Sequence, residues 1–233
     1  MKADRSLLDP PPHFRGFASD EPIVCLRRNL PHWRQLGATY FLTCRLADSL
    51  PKQATDTLRE ERDDWLKRNP PPHSIDQIVD YQKRFTLRVE AWLDAGAGSC
   101  LLRNSENAAV VEDALRHFAG ERLRLFAWVV MPNHFHAVVK PMEGFELGAQ
   151  WNSWKRHTAI RLRANGADFQ PVWFREGYDR IVRDSEHLRS IVRYIGGNPG
   201  KAGLDPNRCR MGICEDWQDA GWSLFGEEQA GME

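Results

Sequence analysis

Two histidines one residue apart, His134 and His136, lie in the run Met131-Pro-Asn-His-Phe-His-Ala-Val-Val139. On a strand, residues i and i+2 point to the same face, so the imidazoles project together while Phe135 turns toward a core. Paired imidazoles can hold one divalent ion. Pro132-Asn133 ahead of them is a turn signal that would fix where the strand begins. About sixty residues later, Tyr194 and Asn198 stand four apart in Arg193-Tyr-Ile-Gly-Gly-Asn-Pro-Gly-Lys-Ala-Gly-Leu204. At helical spacing they share a face. A phenol oxygen is a potential nucleophile. An amide oxygen beside two imidazoles makes a mixed set that suits Mg²⁺ or Mn²⁺ better than nitrogen ligands alone. Each signal also has a plainer reading: two histidines can decorate a solvated strand, and a tyrosine near a helix end is ordinarily a packing residue.

Positioning these groups requires a strand, a hairpin and a helix. The run from Ala38 to Leu46 is β-branched and aromatic and reads as a half-buried strand. Lys52–Asn69 is helical, Pro70–His73 breaks it, and Ser74 can cap a second amphipathic helix over Ile75–Asp94. Ser105–Phe118 repeats apolar residues at three- and four-residue steps. Leu123–Val130 and Phe135–Lys140 then form a hairpin, followed by a helix over Leu147–Ala164. An aromatic stretch at 168–183 leads to a last helix, Glu186–Gly197, which Pro199 should end. The order implies an α+β domain. The expected fold is a ferredoxin-like or RRM-like antiparallel sheet, with helices mainly on one face and a helical insertion at about 52–95. Residues 1–22 read as a flexible arm, 23–204 as the domain, and 205–233 as an irregular tail.

Composition narrows the class. Lys and Arg number 32, as do Asp and Glu, so net charge names no partner. Residues 145–201 nevertheless hold ten basic against six acidic side chains, enough for local contact with a polyanion. Five scattered cysteines form no CxxC pair, which argues against a zinc framework and fits a reducing compartment. No stretch is apolar enough to span a membrane, and the first residues lack a signal-peptide core. A cytoplasmic protein is expected.

Together, MPNHFHAVV and YIGGNP-GKAGL resemble the REP-associated tyrosine transposases, relatives of the single-tyrosine HUH transposases of insertion sequences. The resemblance runs from about Arg27 to Leu204 and includes LPHW…ATYFLTCRL and VWFREGYDRIVRDSEHL. It implies metal-dependent cleavage and strand transfer of single-stranded DNA at palindromic hairpins through a covalent 5′-phosphotyrosine. His134 and His136 would be metal ligands, Tyr194 the nucleophile, and Asn198 the residue completing the metal shell. Either a monomer or a homodimer fits. DNA contacts would come from Lys155, Arg156, Arg161 and Arg163 on the long helix and from Lys201 beyond the tyrosine. Those same side chains also suit an ordinary solvated helix face. Gly196-Gly197 departs from the family and costs roughly 1 kcal/mol per glycine in a helix interior; either the helix end is loose there or the backbone approaches DNA closely. This departure favours one alternative, a hairpin-binding protein that no longer cleaves. A zinc or iron enzyme using the HxH pair is the other, disfavoured by the long helices.

Overall fold

The computed structural model describes residues 9–27, 31–70, 72–175 and 177–225. A two-stranded ribbon, β1 (Val24–Arg27) and β2 (Pro31–Arg34), precedes the sheet strand β3 (Tyr40–Arg45). Helices α1 (Lys52–Arg68), α2 (Ile75–Tyr81) and α3 (Leu87–Asp94) follow. Then come α4 (Ser105–His117), β4 (Leu123–Met131), β5 (His134–Pro141) and α5 (Leu147–Ala164). The chain ends with β6 (Tyr178–Ile181), α6 (Ser185–Lys201), β7 (Arg210–Ile213) and α7 (Glu215–Asp219).

Five strands form one antiparallel sheet in the order β6-β3-β5-β4-β7. Within it, β3-α4-β4-β5-α5-β6 is a ferredoxin-like βαββαβ unit, with β7 added along the β4 edge. Two of the three long helices on the sheet, α4 and α5, share one face. Their Ala108, Val111, Leu115, Trp154 and Leu162 pack on Leu42, Phe135, Ala137 and Val139. The other face carries α6, whose Leu188, Ile191, Val192 and Ile195 recur at helical spacing against Phe41, Val129 and Val138. One helix thus lies across this second face.

Local chemistry explains the helix starts. Asn104 accepts hydrogen bonds from the Glu106 and Asn107 amides at the head of α4, and Asp184 accepts from His187 at the head of α6. Ser74 and Gln77 form a reciprocal capping box at the head of α2. A single π turn, Gln82–Thr86, joins α2 to α3, so the expected Ile75–Asp94 helix is one rod with a local widening.

Three expectations change. Pro199 does not end α6, which runs to Lys201; in the last turn its missing N–H removes one bond, and Gly203, at φ 66°, closes the helix. The tail after Leu204 is not wholly irregular, because β7 pairs with Ala127–Val130 of β4. Four residues, Arg-Met-Gly-Ile, carry too short a pattern to announce a strand. The described part of the N-terminal arm is docked: the Phe17 amide bonds to Val182 and Arg183 carbonyls, and Gln35 exchanges two bonds with Ala18.

The insertion builds its own small core from Trp65, Tyr81 and Phe85 with Trp33 of β2. The ribbon is pinned to the sheet edge where His32 and Arg34 both pair with Asp179 of β6. Among the described residues, no helix is long and apolar enough to cross a membrane.

Candidate active site

Strand alternation sends His134 and His136 onto the α6 face, and both are 0% exposed. His136 lies flat on Phe41, with ring centroids 5.2 Å apart, and its Nδ1 is 2.9 Å from Thr43 Oγ1 directly across on β3. His134 Nδ1 meets Asn133 Oδ1 at 2.7 Å. The Asn133 amide nitrogen donates to the Leu93 and Ala97 carbonyls, so its oxygen must accept the proton from His134 Nδ1. This leaves His134 Nε2 as a lone-pair nitrogen, 3.0 Å from Nε2 of His136. A single cation between them would satisfy both. Burial pushes His134 down to about 3 and His136 well below the usual imidazole range, the latter helped by His134 and Arg180. Both rings are therefore neutral at neutral pH, the form that ligates metals.

The Tyr194 hydroxyl lies 3.4 Å from Nε2 of His136. One helical turn on, Asn198 is fully buried; its Nδ2 reaches the Tyr194 carbonyl at 3.5 Å, and its Oδ1 has no hydrogen-bond partner. A buried amide oxygen with nothing to accept from is what a hard cation would use. Among the described residues no cluster of three or more His, Cys, Asp or Glu side chains could hold a metal, so a third protein ligand would come from a neutral oxygen such as this one. Two imidazoles and one neutral oxygen could together hold a divalent ion.

Tyr194 opens on a cavity of about 610 Å³ shared with Glu90, Asp94, Arg180, His187 and Lys201. Burial pushes the phenol well above its usual range, and the carboxylates of Glu90 and Asp94 push the same way; Asn198 and Arg180 oppose them. Lys201 sits 4.7 Å over the phenol ring. Arg180 lies over Phe41, with a buried Nε that has no hydrogen-bond partner.

Five of the residues expected from the sequence thus lie together: His134, His136, Tyr194, Asn198 and Lys201. Lys155, Arg156 and Arg161 do not join them. They belong to α5, across the sheet, where Lys155 bonds to the carbonyls of Phe174 and Arg175, and Arg156 and Arg161 are exposed. Trp154 and Trp173 are core residues. The sequence reading missed Asn133 as a positioning group, although it adjoins His134 and stands in the same motif. It also missed Thr43, Arg180, Glu90 and Asp94, which no local spacing signals.

The chain defines an α+β protein with an HxH pair on a central strand and a tyrosine facing it from a helix on the same face of the sheet. No family model matches it, and no curated protein does. Among solved structures, that of a REP-associated tyrosine transposase bound to a REP hairpin is similar over 76% of this chain and 76% of that chain, at 19% identity and a TM-score of 0.41.

Proposed function

We propose that this chain cuts and rejoins single-stranded DNA next to a hairpin, with Tyr194 as nucleophile and a divalent ion on His134, His136 and Asn198. One observation supports this most: the Tyr194 oxygen lies 3.4 Å from a ring nitrogen that is itself 3.0 Å from its partner's. A nucleophile and a paired-imidazole site can therefore face one phosphate. Mg²⁺ or Mn²⁺, when bound, would withdraw charge from a non-bridging phosphate oxygen. Arg180 and Lys201 would hold the remaining phosphate charge. The phenol gives up its proton to solvent and its oxygen attacks phosphorus in line. The Tyr194 O–P bond forms, the P–O3′ bond breaks, and the departing 3′ oxygen gains a proton. Because the new ester keeps the bond energy, another 3′-hydroxyl can reverse the step and join a different end. Every group invoked comes from one chain, so a monomer suffices. Cytoplasmic location is proposed on the same footing, since Cys44, Cys100, Cys209 and Cys214 are all free thiols.

The second reading is a hairpin-binding protein without cleavage. The carboxylates of Glu90 and Asp94 beside the phenol favour it, since they oppose phenolate formation. An assay with labelled hairpin DNA carrying a single-stranded flank, run with Mg²⁺ or Mn²⁺, decides between them. The enzyme gives a covalent protein–DNA adduct that Tyr194→Phe abolishes while hairpin affinity stays within about twofold. An adduct from Tyr194→Phe would mean a different nucleophile; no adduct from the unaltered protein, with binding intact, would establish the second reading.

A further inference from the structure

Breaking a P–O3′ bond leaves charge on the departing oxygen, and that oxygen needs a proton. In-line attack expels it on the side of phosphorus away from the phenol, so Tyr194 is not placed to supply one. A 3′-hydroxyl that rejoins meets the reverse problem and needs a base at the same place. The histidine pair does not meet this need: His134 keeps its Nδ1 proton on Asn133, and the two Nε2 atoms face each other.

One wall of the Tyr194 cavity is a face of α3, where Leu87, Glu90, Ala91 and Asp94 recur at helical spacing. The π turn at Gln82–Thr86 leads directly into this helix, and such turns are frequent at functional sites. Glu90 is 5% exposed, and its Oε1 has no hydrogen-bond partner. A buried carboxyl oxygen without a partner is costly unless a ligand completes it. Glu90 also lines a second cavity, of about 260 Å³, together with Thr43, which holds His136 Nδ1. It thus borders both the space before the tyrosine and the space beside the histidines. Asp94, one turn on, is half-buried and borders only the larger cavity. The charge of Glu90 acts on the Tyr194 phenol, so the two groups are close. Burial raises the Glu90 carboxyl above its ordinary range; Arg180 and Lys201 pull it back, and Asp94 adds to the rise. A raised carboxyl is what a proton donor needs near neutral pH. While it carries a proton it adds no charge against the phenolate.

We propose that Glu90 is the acid–base group for the 3′ oxygen, a role that rests on the cleavage reading. In cleavage the Tyr194 O–P bond forms, and the P–O3′ electron pair leaves with O3′, which takes the Glu90 proton. In rejoining, the Glu90 carboxylate takes the proton of the incoming 3′-hydroxyl and the P–O3′ bond re-forms. The Tyr194 oxygen then leaves with its electron pair and regains a proton from solvent.

Sulfur in place of the bridging 3′ oxygen separates this role from a structural one, because a thiolate leaves without a proton. Labelled hairpin DNA with a single-stranded flank is made with oxygen or sulfur at the scissile 3′ position. Adduct formation with Mn²⁺ is then timed for the full-length protein, for Glu90→Gln, which keeps size, and for Glu90→Asp, which keeps the carboxyl. Glu90→Gln should lose about 100-fold on the oxygen strand but less than about threefold on the sulfur strand. Glu90→Asp should lose less than Glu90→Gln on the oxygen strand and react normally with the sulfur strand. Equal losses on the two strands in either variant overturn the proposal, as does an oxygen-strand rate that Glu90→Gln leaves unchanged. Those results, with adduct formed by the unaltered protein, leave the cleavage reading standing. No adduct from the unaltered protein on either strand overturns the cleavage reading and this role with it.

Discussion

At the scale of single residues, Asn133 has the most connected role. Its amide nitrogen holds the end of the insertion through Leu93 and Ala97, while its oxygen fixes the proton on His134. Removing it frees the imidazole to rotate and to change tautomer. Outer-shell partners of ligating histidines are worth roughly 10–100-fold in metal affinity. Asn133→Ala should therefore weaken Mn²⁺ binding by about that factor, measured by calorimetry, with the folded far-UV spectrum retained. Asp94 gives a second expectation. Its carboxylate helps to raise the Tyr194 phenol, so Asp94→Asn should let the phenol ionise at lower pH. The rising limb of adduct formation should then move to lower pH, with faster adduct formation at a fixed pH below it. An unmoved limb would mean that phenol ionisation does not govern the step. The HxH pair and Tyr-x-x-x-Asn were legible because each lies within one turn or one pleat of chain. Glu90, Asp94, Arg180 and Thr43 were not, because they reach the site through strand register and the packing of an insertion.

At the scale of elements, α6 decides whether Tyr194 and Asn198 face the histidines. The glycine pair looked in sequence like a weak point or a place for DNA to approach. The structure separates the two. A side chain at Gly196 would meet the Leu224 carbonyl oxygen at 1.9 Å, so the chain's own C-terminal segment occupies that approach. Gly197 faces open space. Gly196→Ala should therefore force the Leu224 segment away and destabilise the protein. Gly197→Ala should stabilise it by about 0.5–1 kcal/mol through the higher helix propensity of alanine. Urea unfolding of the two variants checks both signs at once, and equal effects would contradict the packing described. The boundaries of α1, α4 and α5 and the β4–β5 hairpin were readable from periodicity. The passage of α6 through Pro199 was not, since the local rule that a proline forfeits a helix hydrogen bond cannot see that Pro199 is buried in the packing of α6 or that Gly203 supplies the stop.

At the scale of the molecule, the two ends of the described chain meet behind the candidate catalytic helix. Trp217 is fully buried, stacks on Phe126 of β4 with centroids 4.4 Å apart, and donates its indole N–H to the Pro12 carbonyl at 3.0 Å. Trp222 donates to Asp9. These contacts, with Leu224 against Gly196, close the same core that α6 packs into. The described C-terminal segment thus supports the face on which the tyrosine and the histidines meet, while its described residues supply no group to the site. Trp217→Ala should cost about 3–5 kcal/mol, the range for emptying a buried aromatic position, a large share of the 5–15 kcal/mol that holds a typical domain together. If the core carries strain to α6, the variant at low temperature, still folded, should form the Tyr194 adduct more slowly while its Mn²⁺ affinity changes little. His134 and His136 belong to β5, which is held by its ladders with β3 and β4. Loss of metal affinity in step with adduct formation would instead mean that strand and helix respond as one unit, and that the termini hold the whole sheet rather than the helix alone.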